Sequence, residues 1–133
     1  MNVPYDPLYL FIDGEWIGSE ARASAAVVNP ANEAEIGRVP LASAADLERA
    51  LVASGRAFEQ WRRTPPGERA WILKGAADLL LERAPAIATQ LTLEEGKPFA
   101  EALDEVSRAA EYFEWFGESA PVSYTHLTLP TIC

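Results

Sequence analysis

The sequence predicts a mixed chain, strands and turns first and four helices after, on three observations. β-prone segments up to Pro40 are broken by Asp13-Gly14 and Asn29-Pro30. From Ser43 onward apolar residues recur at helical spacing. Helix stops and starts then fall at Thr64-Pro65-Pro66, near Pro85 and at Gly96-Lys97-Pro98.

Leu8-Tyr9-Leu10-Phe11-Ile12 and Glu15-Trp16-Ile17 flank Asp13-Gly14, the pair that suits a two-residue hairpin loop because both of its positions need positive φ. A second extended region runs from Ala26-Val27-Val28 through Asn29-Pro30-Ala31-Asn32 to Glu35-Ile36-Gly37-Arg38-Val39-Pro40, with Asn-Pro opening the turn. Ser43 and Asp46 then make a capping-box-like helix start. Leu47, Ala50, Leu51, Ser54, Phe58 and Trp61 follow on one face, expected to be buried, with Glu48, Arg49, Arg56 and Glu59 largely on the other. Thr64 is expected to cap the next helix, with Pro65 and Pro66 just inside. Its stripe is Leu73, Ala76, Ala77 and Leu80, widened by Ile72 and Leu79. A third helix spans about Pro85 to Glu95 with Ile87, Ala88 and Leu91 inward. Gly96 closes it, and a fourth starts at Pro98 with Ala102, Val106, Ala109, Phe113 and Phe116 inward.

At 133 residues the chain has room for one domain, burying roughly two-thirds of its unfolded surface. A hydrophobic share of 49% and a charged share of 23% are those of a globular protein. The net charge of −9 argues against nucleic acid and anionic membrane surfaces, which are bound by clustered Lys and Arg. Met1 to Pro7 lacks the basic head and apolar core of a secretory signal, and no run approaches the roughly 20 apolar residues of a membrane span, so the expected location is cytoplasmic.

The composition breaks at Pro121. Residues 121–133 contain no Asp, Glu, Lys or Arg, yet they hold the only His and the only Cys. Two prolines make this stretch a poor strand, so a disordered tail is expected. Ahead of it there is no donor set for a transition-metal site. No glycine run forms a phosphate loop or a dinucleotide fingerprint. His126 in the tail gives no credible Ser-His-acid constellation, and Cys133 has no basic neighbour to lower its thiol pKa. Lys97 reads either as an ammonium aimed at an anion or as a lysine satisfying the last carbonyls of the preceding helix, the latter being the commoner use. Tyr112, Phe113, Trp115 and Phe116 read as packing or subunit contacts before they read as a pocket. Glu94, Glu95, Glu101, Asp104 and Glu105 read as a hydrated face.

Several pieces, in order, carry a resemblance. They are Phe11-Ile12-Asp13-Gly14-Glu15-Trp16, Val28-Asn29-Pro30-Ala31-Asn32, Phe58-Glu59-Gln60-Trp61 with Pro66-Gly67-Glu68-Arg69, then Leu91 to Pro98 with Ala100-Glu101-Ala102, and Tyr112-Phe113-Glu114-Trp115-Phe116. From about Leu10 to Ala120 the chain resembles the amino-terminal part of the aldehyde dehydrogenase superfamily, most of all its succinate-semialdehyde dehydrogenase-like branch. The resemblance implies an α/β parent fold with a Rossmann-type cofactor domain. Residues 1–120 would supply the first portion of that NAD(P)-binding domain, a β-hairpin region and about four helices, and residues 121–133 an anomalous, foreign or disordered tail.

Members oxidise a small-molecule aldehyde to a carboxylic acid with NAD or NADP through a cysteine nucleophile, and the parent is expected to be a homodimer or homotetramer. The resemblance places the nucleophile, the general base and the cofactor-binding turn downstream of the matched region. It therefore assigns no catalytic and no cofactor-binding residue here and implies a chain inactive by itself. It also implies a monovalent cation held by the backbone beside the Asn-Pro turn and an acidic side chain before Gly-Lys-Pro, positions that match Val28 and Glu94. The alternative from another class is a small acidic helical adaptor that binds a partner through an exposed apolar face.

Overall fold

The structure, a computed structural model, describes residues 5–122. Four strands are found among them, β1 (Leu10–Ile12), β2 (Glu15–Ile17), β3 (Ser24–Val28) and β4 (Glu35–Pro40), followed by four helices, α1 (Ala44–Trp61), α2 (Pro66–Glu82), α3 (Ala84–Glu95) and α4 (Phe99–Val122). They fall into two units. One runs up to Arg63 and includes Leu93–Gly96, and the other holds Thr64–Thr92 and continues from Lys97.

The first unit is built from turns. β1 and β2 pair antiparallel with Ile12 opposite Glu15, leaving Asp13-Gly14 as the loop, with φ of 54° and 82°. Both values are positive, as the mirror-image turn of a right-twisted hairpin requires. Phe11 faces Trp16 across the pair with ring centroids 4.6 Å apart. β3 and β4 pair from Ser24 opposite Pro40 to Val28 opposite Glu35, with a bulge at Val27/Val28. Their turn is held by its own side chains: Asn29 Oδ1 accepts from Ala31 N at 2.9 Å, and Asn32 Oδ1 accepts from Ala34 N at 3.1 Å. Such Asx bonds make Asn a turn residue.

α1 starts on the capping box expected of it. Ser43 Oγ accepts from Asp46 N at 3.2 Å, and Asp46 Oδ2 accepts from Ser43 N at 2.8 Å. Its apolar face, however, is not buried as the spacing predicts. Leu47, Leu51 and Phe58 are all about 60% exposed. The physical reason is size: within this unit α1 lies against β1, a strand of three residues that cannot cover a helix of eighteen. Among the described residues of the unit, Ile12 and Pro40 are the buried apolar ones.

The second unit is a helix pair closed by small side chains. Pro65, not Thr64, occupies the N-cap of α2, makes no side-chain cap bond and leaves Pro66 at the first helical position. A proline there loses nothing, because the N–H it lacks would have had no partner in the helix. On α2 Ala77 is fully buried, while Ile72 and Leu79 are exposed. α3 buries Ala84 and Ala88, with Ile87 and Leu91 half-buried.

On α4 the buried face is Ala102, Val106, Ala110 and Gly117. The expected stripe through Ala109, Phe113 and Phe116 lies up to one residue, about 100°, around the helix, and both phenylalanines are exposed. Small residues win the contact because they let two helix backbones approach. A Cβ on Gly117 would meet the Ala70 carbonyl oxygen of α2 at 3.2 Å. α4 continues through Pro121 and Val122, two residues beyond the composition break, and the rest of the expected tail lies outside the described residues.

Candidate functional site

In the first unit, the end of α3 brings the residues of the expected cation site near one another in the fold. Gly96 closes the helix with φ of 77°, in the left-handed region where a side chain is strained. A Cβ there would lie 2.9 Å from Pro30 Cγ, so the Asn29-Pro30 turn is packed against the residue that ends the helix. Glu94, on the last turn, presents an exposed carboxylate whose Oε1 accepts the Tyr5 hydroxyl at 2.6 Å. The Tyr5 ring packs against β4 at Gly37, where a Cβ would sit 2.5 Å from ring atom Cε1. Burial raises the Tyr5 pKa, and the bond to Glu94 and that residue's negative charge raise it further. The phenol therefore remains a donor at neutral pH.

Val28 ends β3 beside the bulge, opposite Glu35, with its side chain exposed. The sequence-expected pair of Val28 and Glu94 thus belongs to one unit, linked by the Pro30–Gly96 contact and by Tyr5 on Gly37. Among the described residues no group of three or more His, Cys, Asp or Glu could hold a metal ion. A backbone carbonyl and one carboxylate are hard oxygen donors with a single negative charge, a set that fits a weakly held monovalent cation.

Tyr5 was not singled out by the sequence. Its partner is 89 residues away, and no periodicity or motif joins them.

The other candidates resolve into structural roles. Asp46 is buried, and its carboxyl is lowered to about 2, first by the Ser43 backbone N–H, then by the Ser43 hydroxyl, then by Arg22 Nη1 at 3.0 Å. Lys97 pairs with Glu105 of α4, so Glu105 is an ion-pair partner rather than part of a bare hydrated face. Tyr112, Trp115 and Phe116, with Arg108 and Glu111, line an open groove of about 410 Å³ on the face of α4 turned away from its buried stripe. In this chain those aromatics are exposed rather than packed.

Comparison with known proteins gives this geometry a context. The aldehyde dehydrogenase family profile matches residues 16–131. The chain belongs to the aldehyde dehydrogenase family. It is 41% identical over 114 residues to a 3-sulfolactaldehyde dehydrogenase of Pseudomonas putida, covering 86% of this chain and 24% of that protein. It is 40% identical over 113 residues to an NADP-dependent succinate-semialdehyde dehydrogenase of Escherichia coli, covering 85% of this chain and 23% of that protein. Among solved structures it is similar to an aldehyde dehydrogenase from Brucella melitensis biovar abortus 2308, with a TM-score of 0.84 and 40% identity over 87% of this chain and 24% of that one. The fold is therefore the α/β aldehyde dehydrogenase fold in its amino-terminal part, and the relatives include the succinate-semialdehyde dehydrogenases the motifs resemble. The chain spans about a quarter of the length of the curated relatives it matches.

Proposed function

We propose that this chain is the amino-terminal scaffold of an NAD(P)-dependent aldehyde dehydrogenase that oxidises an aldehyde to a carboxylic acid, and that it is inactive by itself. The observation that carries the reading is the family match over most of the chain combined with its coverage of a quarter of each relative. The substrate class is a short aldehyde with an anionic far end, supported by the names of the relatives, which include succinate-, glutarate- and malonate-semialdehyde dehydrogenases. The parent is a cytoplasmic homodimer or homotetramer. No helix among the described residues is long and apolar enough to cross a membrane.

Within the scaffold, the Val28 backbone and Glu94 hold a monovalent cation beside the Asn-Pro turn, and their oxygen donors support that assignment. Residues 121–133 are foreign to the family sequence. The loss of every acidic and basic residue supports this, and the family match that runs to residue 131 is the observation it must survive.

The test is to assay the purified chain, and the same chain joined to a relative's remaining sequence, for aldehyde-dependent reduction of NAD and NADP. Turnover only in the joined protein is expected. Turnover by the chain unaided would overturn the reading.

A further inference from the structure

We infer that Tyr5 is a positioning residue, whose hydroxyl fixes the Glu94 carboxylate as ligand for a monovalent cation held together with the backbone at Val28. This rests on the cation reading proposed above and adds to it a residue that no motif marks. A glutamate on the last turn of a helix turns freely about three side-chain bonds, so an exposed one makes a poor ligand unless something orders it. Here Glu94 Oε1 takes the Tyr5 hydroxyl at 2.6 Å. The donor is itself held, because an edge of its ring packs on β4 in room that Gly37 leaves and that any side chain would fill.

The backbone beneath is fixed from the other side. Gly96, two residues on, is packed against Pro30, two residues past Val28. The same turn that would present the Val28 carbonyl is thus tied to the helix end that presents Glu94. Carboxylates that bind cations are commonly oriented by such outer hydrogen bonds, and loss of one weakens binding by roughly 10-fold to 100-fold.

The test uses the whole chain with sodium chloride as probe and choline chloride as the ionic-strength control. Binding is read from the broadening of the sodium NMR line. Glu94→Gln should abolish sodium binding, and Tyr5→Phe, which keeps the ring on Gly37, should weaken it about tenfold with an unfolding midpoint in choline equal to that of the wild type. Wild type and Tyr5→Phe binding alike, while Glu94→Gln does not bind, would overturn the role of Tyr5 and leave the cation reading standing. Equal sodium response in wild type and Glu94→Gln, or none in either, would overturn the cation reading and the inference with it. A Tyr5→Phe chain that unfolds in choline would also overturn it, since the hydroxyl would then serve the fold rather than the ion.

Discussion

In the unit that runs to Arg63 the residues that fix the chain are polar or sit in turns: Asp13 and Gly14, Asn29 and Asn32, Ser43 and Asp46. In the other unit they are Ala77, Ala102, Val106, Ala110 and Gly117 on helix faces. The first kind of order is local and directional, satisfied within a few residues of where it begins. The second depends on how near two helices come. The difference also explains the exposed apolar residues, since a unit fixed by turns can hold its shape while Leu47, Leu51 and Phe58 stay open to solvent.

The comparison breaks most readily at Gly117. Gly117→Leu forces a side chain into the α2 backbone near the Ala70 carbonyl, and overpacking of this kind should cost about 3 kcal/mol. Urea unfolding gives the loss, and hydrogen exchange should place it at the amides of α2 and α4 while β3 and β4 keep their protection. Loss of protection in the strands instead would mean the two units do not differ as described.

The converse variant is Gly96→Ala, which must adopt a φ of 77° and meet Pro30. The left-handed conformation alone costs about 1–2 kcal/mol. Faster exchange should appear at the Asn29–Ala34 turn amides, and unchanged exchange there would show that Pro30 yields freely.

Ser43→Ala removes a cap worth about 1 kcal/mol, and Asp46 makes the same start sensitive to pH. Its folded pKa of about 2 lies below the ordinary carboxylate value. Its contribution is therefore complete above pH of about 4 and is lost as pH falls toward the folded value. Asp46→Asn should flatten that acid limb in unfolding midpoints measured across the range, and a limb as steep as that of the wild type would assign the acid sensitivity elsewhere.

The smallest effect is expected at Glu59, whose bonds to Arg62 and Arg63 are half or more exposed. Glu59→Gln should change stability by less than about 0.5 kcal/mol. A larger loss would show that charge, not turn chemistry, orders the first unit.

Much of the fold was legible because its signals are short. Asp13-Gly14 makes its hairpin, Asn29-Pro30 opens its turn, Ser43 and Asp46 cap α1, and Gly96 closes α3, each through bonds spanning a few residues. Val28 and Glu94 came from resemblance, and Tyr5 from none of the sequence signals. The inward face of α4 was misplaced by up to one residue because hydrophobicity ranks Phe113 and Phe116 above alanine and glycine, whereas close helix approach ranks them below.

What the amino-acid order determined alone was where the chain turns, where helices begin and stop, and which family's wording it follows. Only the tertiary structure decided which side of α4 meets α2, that the apolar face of α1 stays open, and that Tyr5 reaches Glu94. The physical reason is range. A turn or a cap is satisfied by neighbours along the chain, whereas a buried face or a hydrogen bond spanning 89 residues exists only once distant segments have been brought together.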